Sequence, residues 1–88
     1  MEIIYVISFK LSELLKINEA QAIGVFTLAI KDGNKKMGSL SYEDCREVIQ
    51  VHLKQRLKKI GTPNPDSVIG QLMHLLAQKQ SLFVMMAR

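Results

Sequence analysis

Eighty-eight residues bound the chain to a single domain, 1–88, with room for a modest core. At 48% hydrophobic and 23% charged residues the composition excludes a disordered chain. The net charge of +4 is uneven: residues 1–47 hold six Lys/Arg against seven Asp/Glu, and residues 48–88 hold six against one, so the second half favours an acidic partner, protein or nucleic acid.

Cys45 is the only cysteine, which rules out an internal disulfide and fits a reducing, cytoplasmic setting. The apolar start, Ile3 to Phe9, lacks a basic flank and a small-residue cleavage site and is too short for a bilayer, so neither a signal peptide nor a membrane anchor is expected.

Residues 3–17 carry two conflicting signals. Ile3-Ile4-Tyr5-Val6-Ile7 is β-branched and aromatic, as in a strand. Ile4, Ile7, Leu11 and Leu14 keep a 3-4-3 spacing, as in a helix. The spacing is given the greater weight, and a strand over 3–9 is the alternative. Asn18 can cap a second helix over Glu19 to Lys31, ended by Asp32-Gly33-Asn34; a hairpin through that Asp-Gly is a weaker reading. After Glu19 this helix has no charge until Lys31, which predicts a central, mostly buried helix. Ile23, Phe26 and Ile30 form its apolar face, and Ala20, Gly24 and Thr27 a face of small residues open to a close neighbour.

A loop over 31–39 leads to a third helix with both ends marked. Ser41 is a good N-cap, Asp44 stands at the third helical position, and Leu40 and Cys45 can form a staple. Cys45, Val48, Ile49, Leu53, Leu57 and Ile60 recur at helical spacing, and Gly61 with Thr62-Pro63 ends the run. Asn64 is the expected cap of a last helix, with Pro65 at its first position and Asp66 in its first turn. Its pattern is interrupted only by Lys79. If helical to Ala87 it would span roughly 33 Å, closing on an apolar end, Leu82-Phe83-Val84-Met85-Met86, that needs cover.

Leu11 to Ile17 followed by Asn18 to Phe26 resembles the helix-turn-helix of transcription regulators. Lys16 stands where that turn usually has glycine, and the second helix offers Gln21 and Thr27 but no Arg or Lys before Lys31. A better nucleic-acid candidate is the basic segment Lys54, Arg56, Lys58 and Lys59, joined by Lys35 and Lys36, although it lacks aromatic residues for stacking bases.

His52 and His74 have no second ligand at metal spacing, and a zinc site needs three or four. Cys45 lies two helical turns from His52, out of reach of a base. No glycine-rich phosphate loop is present. No catalytic residue, metal or cofactor is therefore expected.

These readings together predict an all-α bundle of about four helices. The function expected of it is a non-enzymatic interaction module, an adaptor, small chaperone or regulatory subunit. It would bind itself as a homodimer, or another protein, through Ala20, Gly24, Thr27, Leu82, Phe83 and Met86. Nucleic-acid binding through the basic segment is the alternative.

Overall fold

A computed structural model describes residues 2–81 and 83. It is all-α: four helices and no strand are present among the described residues. Helix α1 is Glu2–Leu15, and α2 is Glu19–Asp32. Helix α3 runs without a break through Tyr42–Glu47, a π-helical segment Val48–Leu53, and Lys54–Lys59. Helix α4 is Pro65–Gln78. Each helix packs on two neighbours, α1 on α2 and α4, and α3 on α2 and α4, so the bundle closes as a ring of four around one core.

The start of the chain is helix, not strand. Ile3, Ile4, Ile7 and Leu11 are all buried on one side of α1, and this tertiary burial overrides the strand preference of their β-branched side chains. The helix ends with Lys16 in the left-handed conformation, at φ 58°. The Ile17 amide donates to the Ser12 carbonyl at 3.1 Å, a closure usually made by glycine. Lysine thus holds the strained left-handed position at the end of α1.

Helix α2 begins with a full capping box: the Gln21 amide donates to Asn18 Oδ1 at 2.7 Å, and the Asn18 amide donates to Gln21 Oε1 at 3.2 Å. It is not the enclosed central helix its charge pattern suggested. Ala22, Phe26, Ala29 and Ile30 are buried, while Ala20, Gly24 and Leu28 are exposed. The small residues that allow close packing are Ala22 and Ala29. On the Ala20–Gly24–Thr27 face Ala20 and Gly24 are exposed and Thr27 is half-buried, and a Cβ built on Gly24 would meet none of the described residues within 4 Å.

Helix α3 supplies more core residues than any other described helix. Ser41 and Asp44 close its capping box at 3.0 Å in both directions. Cys45, Val48, Ile49, Leu53 and Leu57 are fully buried. Ile60, placed on the same stripe by spacing, is 58% exposed because the helix stops at Lys59 and Gly61 turns the chain away at φ 77°. The Thr62 amide closes that end on the Leu57 carbonyl at 3.0 Å. Two expectations for the last helix also change. Asn64 makes no side-chain cap: it is left-handed, at φ 54°, and only its backbone carbonyl serves the first turn. The helix does not run straight on, because Lys79 forms a turn before Gln80, Ser81 and Phe83 resume helical geometry. Val68, Ile69, Leu72 and Leu76 supply α4's share of the core.

Candidate functional site: an apolar groove over the first helix

The residues that make α1 a helix also decide what it leaves outside. With Ile3, Ile4, Ile7 and Leu11 facing inward, Tyr5 and Phe9, one turn apart, must face outward. They are 60% and 53% exposed, two of the largest apolar side chains that the fold leaves uncovered. Around them lies an open groove of about 550 Å³. Its apolar lining comes from Tyr5, Val6 and Phe9 of α1, Ile23 of α2 and Leu75 of α4. Because α1 sits between α2 and α4 in the ring, the groove has an α2 edge and an α4 edge.

Ser8 also lines this groove. Its residue surface is only 1% exposed, and its hydroxyl has no hydrogen-bond partner among the described residues. Such an unpartnered buried hydroxyl is unfavourable unless something else uses it. Charges rim the groove in equal number: Lys10 and Glu13 on α1, Glu19 on the α2 edge, and Lys79 on the α4 edge. None of the four forms an ion pair among the described residues. By contrast Asp32, Glu43, Asp44, Glu47 and Asp66 all pair with a cation.

Those pairings fall on the proposed nucleic-acid residues. Arg56 grips Asp32 with two hydrogen bonds, at 2.7 and 3.0 Å. Lys54 lies 2.8 Å from Asp66, and Lys35 lies 3.4 Å from Asp44 and 3.3 Å from Glu47. The Arg56 hydrogen bond holds the Asp32 carboxyl below its ordinary range, and the Lys54 hydrogen bond does the same for Asp66. Lys36, Lys58 and Lys59 are exposed and form no ion pair among the described residues. A phosphate backbone would thus find three open cations where the sequence offered six.

Of the expected interface residues, Ala20 and Gly24 are exposed and Thr27 half-buried, next to Ile23 along α2 and therefore beside the groove. Phe83 packs inward, edge-on to Tyr42 with ring centres 5.6 Å apart. Leu82 and Met86 lie outside the described residues. Tyr5 and Phe9 carried no signal of their own in the sequence; they follow only as the complement of the buried stripe.

Among the described residues the remaining chemistry-bearing side chains do not assemble. Cys45 is fully buried, and burial, with Asp44 adding a smaller effect, pushes its thiol up to about 12, so it stays protonated near neutral pH. His52 packs against Gly33 and lies 3.7 Å from Glu47, whereas His74 is exposed and lies 3.3 Å from Gln78. No cluster of three metal-ligating side chains occurs among the described residues, and no described helix is long and apolar enough to cross a membrane. No protein-family model matches the chain, and neither does any curated protein or solved structure.

Proposed function

We propose that the chain is a non-enzymatic protein–protein interaction module whose docking surface is the groove over α1. The observation that carries this reading is the exposure of Tyr5 and Phe9 at the mouth of an apolar channel. Covering one large apolar side chain is worth roughly 1.5–3 kcal/mol, and aromatic anchors in a concave site are the usual centres of protein interfaces. The exposed small-residue face of α2 extends the surface at its edge. The nucleic-acid reading keeps Lys36, Lys58 and Lys59, but it loses the neighbouring cations to Asp32, Asp44, Glu47 and Asp66.

Photo-crosslinking separates the two. A photoreactive phenylalanine analogue placed at Phe9 should give protein adducts, while the same analogue at Lys58 should give few. Nucleic-acid adducts from position 58, with none of any kind from position 9, would replace the first reading by the second.

A further inference from the structure

The groove's charges point to its occupant. The chain as a whole is +4, yet the groove is neutral, with Lys10 and Lys79 balanced by Glu13 and Glu19. Elsewhere in the bundle the carboxylates of Asp32, Glu43, Asp44, Glu47 and Asp66 pair internally, whereas Glu13 and Glu19 at the groove form no ion pair among the described residues. An acidic partner would suit the basic surplus of the second half but not a groove that carries two carboxylates of its own. A surface with equal and unpaired charges of both signs fits a surface built the same way.

We propose that the occupant of the groove is a second copy of this chain, forming a two-fold dimer in which Lys79 of each copy pairs with Glu19 of the other. This rests on the reading of the groove as a docking surface. The arrangement follows from the ring of helices: Glu19 lies on the α2 edge, Lys79 on the α4 edge, and α1 between them. A two-fold axis lying in the interface, across the line from Glu19 to Lys79, exchanges the two edges, so each cation lands over an anion. The same operation lays Tyr5 and Phe9 of one copy against the groove of the other. Lys10 and Glu13, both on α1, add no net charge to repel the approach.

The test is a charge exchange read by sedimentation equilibrium. The wild type should sediment at twice the 10.0 kDa mass of the chain at micromolar concentration. Lys79→Glu alone and Glu19→Lys alone each replace two attractions by two repulsions, and each should weaken self-association about tenfold at low salt. An equimolar mixture of the two variants restores both pairs and should recover the wild-type mass. That recovery cannot come from a variant that has failed to fold. A monomeric wild type overturns the proposal; so does a dimer that ignores both substitutions, or a mixture that fails to recover. A monomer whose position 9 still crosslinks to a different protein overturns the second copy alone, whereas a monomer with no adduct at position 9 removes the docking surface as well.

Discussion

Replacing Ser8 by alanine should make the protein more stable. Ser8 lies inside α1, is 1% exposed, and its hydroxyl meets no donor or acceptor among the described residues. Leaving a buried polar group unsatisfied costs about 1–3 kcal/mol, which Ser8→Ala removes. Alanine also has the better helix propensity, by less than about 0.7 kcal/mol, and the lost oxygen is too small to leave a large cavity. The net gain should be about 1–2 kcal/mol. For a domain of this size that is a rise in Tm on the order of 5–15 °C. Urea unfolding followed by circular dichroism at low protein concentration measures it without contribution from association. A loss of stability would show that the hydroxyl is hydrogen-bonded after all, and Ser8 would no longer mark the groove.

Lys16→Gly should stabilise the protein by about 1 kcal/mol, because a left-handed residue other than glycine is strained at the closure of α1; an unchanged urea midpoint would count against that strain. Gly33→Ala should cost about 1–3 kcal/mol, because the new Cβ would lie 2.8 Å from His52 Cδ2. In a His52→Ala background the same change should become neutral or favourable, since Gly33 sits at φ −84°, where alanine is unstrained; an equal cost in both backgrounds would show that the two residues are not in contact. Asp32, Asp44 and Asp66 are held below the ordinary value of 3.8, by Arg56, the Ser41 backbone amide and Lys54 respectively. A depressed folded value gives stability that is complete above the ordinary carboxylate range and is lost as pH falls through it, so Tm should be level down to about pH 5 and fall below about pH 4. Asp32→Asn with Asp66→Asn should make that acid limb shallower, and a limb of unchanged slope would count against the pairing.

Features made by residues three or four apart could be read from the sequence. Asn18 with Gln21, and Ser41 with Asp44, are local hydrogen-bond chemistry, and both helices start where these pairs place them. Asn64 makes no side-chain cap because it takes the left-handed conformation, at φ 54°, instead of the extended backbone from which an N-cap side chain reaches the first-turn amides. The stripe through Cys45, Val48, Ile49, Leu53 and Leu57 was visible, but the π-helical winding from Val48 to Leu53 was not. Long-range pairing was invisible: nothing local says that Arg56 meets Asp32, 24 residues earlier, or that Lys54 meets Asp66 on the next helix. Those two contacts change the basic segment from an open patch to a partly neutralised one. The groove was hidden for a related reason. Tyr5 and Phe9 look like any aromatic residues in an apolar run until α2 and α4 are known to cover the opposite side of α1.

Self-association through the groove can be tested most directly by nuclear magnetic resonance of the side chains over a dilution series. Signals of Tyr5, Phe9, Ile23 and Leu75 should move together with concentration. Those of Leu28, Val51 and Ile60, which are also exposed but lie away from the groove, should stay in place. Movement confined to Leu28, Val51 or Ile60, or no movement at all up to the solubility limit, would contradict association through α1.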